Sequence, residues 1–350
     1  LTKTTSLATP IVPGNVVIGG DIKGAATGYY SGLDIKTIAI NKAAAANIYR
    51  ADIGAVPGSG PIRGVVYHND IAYAFRDNAG ATACEIYKSS AAGWTNVPLG
   101  QIISFTAMTG LPAEGGTLTA GGVTATVRRT AVTSGDTGAG TGAGYMVLDT
   151  VVGGPFAAGA ATFTGGGATL SGAQSQITLL PGGDYSFDLE RFSAGGASQR
   201  IYGADGVNDA FEFDGEVYVP IPIATTAKPK YVQGHADHLF LMVESSMIHS
   251  GIGRPFNYEV ISGAGEIALK GVGTGMLVLP GNQGTAALGA FTDDSTWILY
   301  GTSSADWKLV NFNLGIGAKH GSLQNLFDAF AFDDRGGTMM KASLNYGNFD

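Results

Sequence analysis

The chain has 350 residues, with 20 Lys and Arg against 28 Asp and Glu, for a formal net charge of −8. Apolar residues make up 45% and charged residues only 14%, where a typical soluble domain carries roughly 25% charge. The many aromatic residues (16 Phe, 14 Tyr, 3 Trp) exclude a disordered chain, and the lack of a basic block argues against tight duplex binding through phosphate neutralisation.

A chain this long can bury about 75% of its unfolded surface, so an ordinary core is available. Much of the surface must be neutral Gly, Ser, Thr, Ala and Asn, which suits a virion-type or extracellular structural protein or a subunit with neighbours. An acidic wall can still face DNA in a channel through which it slides without sticking. Cys84 is the only cysteine, so neither an internal disulfide nor a cysteine-based metal site can form. It stands in the alternating run TACEIYK and is expected to be a small buried hydrophobe. No apolar stretch reaches the roughly 18 residues of a membrane span. The chain opens on Leu1 and stops at Asp350 inside a hairpin-like phrase, so we expect the numbering to cover part of a longer polypeptide.

Residues 1–58 form an N-terminal segment, partly irregular, broken by Pro10, Pro13 and Gly pairs. Within it VVIGGDIKG (16–24) suits a strand with a turn, and 35–53 a strand followed by one or two helical turns, because four consecutive alanines favour helix. From 61 the pattern becomes regular. GVVYHNDIAYAF (64–75) is a hairpin turning at His68–Asn69–Asp70, with further turns at Asn78–Gly80 and in SSAAGW. About four strands in roughly 45 residues is the size of one propeller blade.

Composition changes near 107. Residues 107–176 are dominated by Gly, Thr, Ala, Val and Ser, with strands expected at 117–119, 123–133, 145–151 and 160–164. This stretch is expected to be an inserted small β-barrel or β-sandwich domain, since closing a long loop costs little extra entropy. From Gln176 the hairpin phrase returns: ITLLPGGDYSFDLERF, RIYGADGVNDAFEFDGEVYVPI (200–221), YVQGHADHLFLMV (231–243), ALGAFTDDSTWILYG (287–301) and NLFDAFAFDDRGGTMMKA (325–342). Several copies of one unit predict an all-β fold: a β-propeller-like body over 59–106 and 177–350.

The candidate chemistry is thin. GAGTGAG (138–144) fails the dinucleotide-binding spacing at Ala143 and Tyr145, and no Lys-Ser/Thr follows, so it is expected to be a hairpin tip. His235 and His238, with Asp237 between them and His249 nearby, have a spacing zinc ligands can use. They straddle a turn, and no further soft ligand stands out. The pairs Asp205 and Asp209, Asp293 and Asp294, and Asp333 and Asp334 fit no calcium loop; they are expected to serve their own turns. SSMIHSG (245–251) holds Ser and His close together without an evident acid. Trp94, Trp297 and Trp307 are expected to pack in cores, with a carbohydrate platform as the alternative. No catalytic, cofactor-binding or metal-binding residue is therefore assigned, and no cofactor is expected.

The phrases SGPIRGVVYHNDIAYAFRDN (59–78), SAAGWTNVPLGQIISFT (90–106), RIYGADGVNDAFEFDGEVYVPI (200–221), HADHLFLMVESSMIHSGIGRPFNY (235–258), STWILYGTSSADWKL (295–309) and DDRGG (333–337) together carry a resemblance. The chain resembles the β-propeller tail nozzle (tail tubular) protein family of short-tailed bacteriophages, over roughly 59–106 and 177–350. That resemblance implies a virion tail protein, not an enzyme. It implies a homo-oligomeric, hexameric ring below the tail adaptor that serves as a conduit for DNA ejection and an attachment platform for fibres. DNA would then pass only transiently, through an acidic channel. The alternatives are a receptor-binding or fibre-type tail protein recognising host surface glycans, a hydrolase built on a propeller, and a head-surface decoration protein.

Overall fold

The computed structural model describes residues 54–192, 198–279, 287–325 and 329–340. The strand and helical turns expected at 16–24 and 35–53 lie outside them. The chain divides into two compact units, residues 1–57 with 89–95, and 58–88 with 96–350. The second unit carries the described sheets, apart from strand ends within 89–95 that complete the first of them.

Every sheet is antiparallel. The first contains β1 (Ile62–His68), β2 (Ile71–Asp77), β3 (Cys84–Ser90) and β4 (Gly93–Val97), paired in chain order. Its opening hairpin turns on two residues, Asn69 and Asp70, at φ 49° and 61°. That is the left-handed pair a two-residue turn needs to match the strand twist.

The inserted Gly/Thr-rich region is a barrel. Its strands are β5 (Gln101–Thr109), β6 (Thr117–Ala120), β7 (Val123–Ser134), β8 (Gly142–Val152), β9 (Gly159–Phe163) and β10 (Gly166–Leu170). They pair in the order β10-β9-β6-β7-β8-β5, and β10 also pairs with β5, which closes a ring of six. A short β11 (Ser175–Gln176) lies alongside β5. The interior holds Ile103, Phe105, Leu118, Val127, Met146, Leu148, Phe163 and Leu170. The boundary expected at 107 is corrected: β5 starts at Gln101, because Ile103 and Phe105 already alternate into the barrel.

Three four-stranded sheets and one of three described strands come after the barrel. The second sheet is β12 (Ser186–Glu190), β13 (Arg200–Ala204), β14 (Ala210–Phe213) and β15 (Tyr218–Ile221). The third is β16 (Tyr231–His235), β17 (His238–Val243), β18 (Ser246–His249) and β19 (Gly265–Ala268). The fourth is β20 (Gly273–Val278), β21 (Leu288–Thr292), β22 (Thr296–Tyr300) and β23 (Lys308–Asn313). The fifth is β24 (Gln324–Asn325), β25 (Ala329–Asp333) and β26 (Gly336–Met340). Each pairs in chain order. The ITLL run (177–180) that opens the phrase after the barrel contributes one bridge, Leu179 to Cys84. The fold is all-β, with propeller-like sheets and one closed barrel.

Consecutive sheets pack face to face through apolar cores. Tyr73, Phe75 and Ile86 of the first meet Ile201, Phe211 and Phe213 of the second. Tyr202, Ala210 and Ile221 meet Val232, Leu239 and Leu241 of the third. Phe240, Met242 and Met247 meet Met276, Leu288 and Leu299 of the fourth. Phe291 and Ile298 meet Ala329, Ala331 and Met340 of the fifth. Strand β17 is therefore buried on both faces, Leu239 and Leu241 to one side and Phe240 and Met242 to the other. Its unbroken apolar run reflects that double burial.

Glycine makes the close approach possible. First strands β12, β16, β20 and β24 neighbour one another in succession. A Cβ at Gly64 of β1 would lie 2.5 Å from the Tyr185 Cβ, which leads into β12. A Cβ at Gly234 of β16 would collide with Glu190 of β12, and one at Gly273 of β20 with Met242 of β17. Part of the glycine content is thus room for the neighbouring sheet.

Candidate functional site

The side chains richest in charge and least exposed gather where the barrel meets the second sheet. Strand β7 sets this up. Val123, Ala125 and Val127 fill the barrel, but register shifts break its pairing with β8 between Val127 and Arg129. A bulge swaps the faces of a strand. Beyond it Val132 packs on the barrel interior, while Ala131 joins the core shared by the first and second sheets. Arg129, on the same side as Ala131, is buried and aimed at the body.

Arg129 forms ion pairs with Glu114 of the barrel and Asp214 of the β14–β15 turn, and its Nε stands 3.3 Å from Glu212 of β14. Arg200 of β13 donates to Glu212 at 2.5 Å and reaches Glu114 at 3.4 Å. The Tyr202 hydroxyl donates to the other Glu212 oxygen at 2.8 Å. Burial and the Glu212 charge hold the Tyr202 phenol well above its ordinary pKa. Burial, the largest single influence, lowers the Arg200 pKa, but Glu212 with Glu114 and Tyr202 raises it, and the net shift is upward. Around the cluster the Arg128 guanidinium meets Glu216 at 3.2 Å, the Tyr145 hydroxyl donates to the Pro220 carbonyl, and the Gly135 amide donates to Glu259 at 3.3 Å. A cavity of about 360 Å³ opens beside the cluster, walled by Leu111, Thr130, Arg254, Phe256 and Asn257 among others. With both guanidiniums matched by three carboxylates, the arrangement is a clamp between barrel and body.

The residues singled out in the sequence fall elsewhere. GAGTGAG forms the tip before β8 and the start of that strand; Asp136 caps the tip by accepting from the amides of Gly138 and Ala139. Asp205 accepts from Val207 and Asn208, and Asp333 from Arg335 and Gly336. Asp294 accepts from the Thr292 hydroxyl. Asp209 and Asp293 pair with Lys228 and Lys319. These acids serve turns and surface pairs.

The histidines do meet. His238 and His249 sit edge to face, 5.3 Å between ring centroids, and both pack on Trp307. Each directs Nδ1 to the Ser250 carbonyl, at 2.6 and 3.2 Å. His235 packs near Phe240. Burial, with His238 adding to it, pushes His235 down to about 4; burial does the same to His249, despite the Ser250 carbonyl. Among the described residues no group of three or more His, Cys, Asp or Glu could hold a metal ion. The Ser250 hydroxyl accepts from the Leu239 amide and donates to the Gly251 carbonyl, so it is not presented to a base.

Trp297 and Trp307 pack against the core between third and fourth sheets, and the Trp94 indole donates to the Gly54 carbonyl. Cys84 is buried, and desolvation pushes its thiol up to about 11. No helix among the described residues is long and apolar enough to cross a membrane.

No family model matches the chain. No curated protein matches it. Among solved structures it is similar to a chain from a study of two prolyl endopeptidases, at 12% identity and a TM-score of 0.30, over 83% of this chain and 49% of that one. The chain spans about half the length of that structure.

Proposed function

We propose that the chain is a structural subunit of a virion tail, of the nozzle type, which works by assembling into a ring and has no enzymatic activity. One observation carries the reading. The sheets succeed one another through four apolar cores, while the chemistry-bearing groups are spent on that scaffold: Asp side chains in turns, His side chains in a core, Arg side chains in the clamp. The net charge of −8 suits a wall past which DNA slides. Packing of Trp297 and Trp307 against a core favours this reading over the glycan-binding alternative.

The test is native mass spectrometry and negative-stain imaging of the purified full chain, alone and with its particle. The reading expects closed oligomers with an axial channel, and no retention of duplex DNA at low salt. A chain that stays monomeric at every concentration and in the particle, or a channel lined with Lys and Arg, would overturn it.

A further inference from the structure

The cavity beside the clamp has more hydrogen-bond donors than acceptors left to use. The clamp carboxylates are committed. Glu212 receives Arg200 on one oxygen and Tyr202 on the other. Glu114 receives both Arg129 and Arg200. Asp214 receives Arg129 and the amides of Glu216 and Val217. The buried groups left over on the cavity wall donate. Arg129 Nε lies 3.3 Å from Glu212 but is not aligned to bond it. It has no hydrogen-bond partner, and neither do Arg200 Nε and the Thr130 hydroxyl. All three residues line the cavity. Their orphaned atoms are sealed from water, so they act on the cavity through their dipoles rather than by contact.

Arg254 adds the contact. It lines the same cavity and is exposed, and its guanidinium makes no hydrogen bond or ion pair among the described residues. The backbone beneath it is tied. The Arg254 amide donates to the Gly251 carbonyl at 3.1 Å, and its carbonyl accepts from the Asn257 amide at 3.0 Å. Asn257, 2% exposed, accepts in turn from the Glu259 amide and the Ser262 hydroxyl. A cation on a fixed turn loses little backbone freedom on binding.

With Arg254 counted, three guanidiniums stand against Glu114, Glu212 and Asp214. Selectivity therefore lies in which group is uncommitted, not in net charge. Outside the clamp the cavity wall carries one carboxylate, Asp136, and one of its oxygens accepts from the amides of Gly138 and Ala139. The remaining walls include Leu111, Pro112, Val132, Pro255 and Phe256. A volume of about 360 Å³ falls in the range of small-molecule sites.

We propose that this cavity binds a small organic carboxylate with an apolar body, the carboxylate on Arg254 and the body against Leu111, Val132 and Phe256. The guanidinium fork matches the two oxygens of a carboxylate. Bare phosphate would leave the apolar wall uncovered, and a neutral molecule would leave Arg254 unmatched. The carboxylate can belong to a free acid or to the apolar last residue of a peptide. The inference goes beyond the assembly reading and does not rest on it.

Isothermal titration of the full chain tests it with benzoate, benzamide, inorganic phosphate, and a short peptide ending in phenylalanine, its terminus free or amidated. The acids are expected to bind and their amides not, with phosphate weaker than benzoate. Arg254→Gln should weaken the acids at least about tenfold and leave the circular dichroism and melting temperature unchanged, because the side chain holds nothing else. Asp136→Asn keeps the acceptor that caps its turn but drops the charge, so it should tighten benzoate. A free-terminus peptide that binds more tightly than benzoate assigns the carboxylate to a chain end, and the reverse order to a free acid. The proposal is overturned if neither acid binds, if the amides bind as well as the acids, if phosphate is the tightest probe, or if the acids bind Arg254→Gln undiminished.

Discussion

Replacing Glu212 by Gln tests whether the barrel is clamped to the body by charge. Glu212 is 1% exposed. It receives Arg200 at 2.5 Å and Tyr202 at 2.8 Å, with Arg129 Nε at 3.3 Å. Gln keeps the shape and one acceptor oxygen, so Tyr202 can retain its partner; the lost quantity is the negative charge. Removing one member of a buried ion pair costs about 3–5 kcal/mol. Arg129 keeps Glu114 and Asp214, and Arg200 keeps Glu114, so neither cation is stranded. The lower end, about 3 kcal/mol, is therefore expected. Urea unfolding of the full chain, followed by circular dichroism, should show an earlier midpoint with an unchanged slope. The double change Glu212→Leu with Arg200→Met removes the charges together and should cost less than Glu212→Gln alone. A loss for Glu212→Gln below about 1 kcal/mol, the range of surface pairs, would refute the reasoning.

Gly64→Ala should destabilise by about 1–3 kcal/mol, at the upper end, because the new methyl meets the Tyr185 Cβ, which cannot rotate away; thermal unfolding checks it, and a neutral result would mean the sheets can slide apart. Acid should weaken the fold through His235 and His249. Their folded pKa values near 4 lie below the ordinary value of about 6.5, so their contribution is full above pH 6.5 and is lost as pH falls toward 4, at up to about 1.4 kcal/mol per unit for each group. His249→Gln should flatten that slope in pH-dependent unfolding. Glu190 runs the other way: burial, with Asp188 nearby, lifts it to about 7, so ionisation costs stability as pH rises from about 4.5 through that value. Glu190→Gln should raise the melting temperature at pH 8 and leave it nearly unchanged at pH 4; equal effects at both would contradict the assignment.

Much of the architecture was legible because local chemistry set it. Asn69–Asp70 announces a two-residue turn, and Gly pairs bracket the barrel strands β6 to β9 close to where they stand. Strand β10 escaped notice because GGATL has little apolar alternation of its own; it pairs with β9 and closes on β5. Distance in the chain hid the rest. Glu114, Arg129, Arg200 and Glu212 sit on separate phrases, and VTATVRRTAV looks like one continuous strand. The sole local hint was Arg129 itself, a charge in the odd-numbered row otherwise held by Val123, Ala125, Val127 and Ala131. Its meaning depends on the bulge that redirects the row, and period-two alternation does not encode a bulge. Likewise the histidine cluster draws Trp307 from the fourth sheet, nearly sixty positions beyond His249.

Where the barrel departs from and rejoins the main chain carries a last consequence. Gln101 and Gln176 are paired partners, and the Ile177 amide donates to the Gly100 carbonyl at 3.0 Å. The two junctions are stitched side by side, so the whole module could be excised or exchanged without stretching the scaffold that bears it. Any replacement would still inherit an obligation: to offer Arg200 and Glu212 a counterpart to Arg129 and Glu114. Diversification at this position is therefore free in loop and length, and constrained at the electrostatic socket and where Ala131 and Tyr145 enter the body's core.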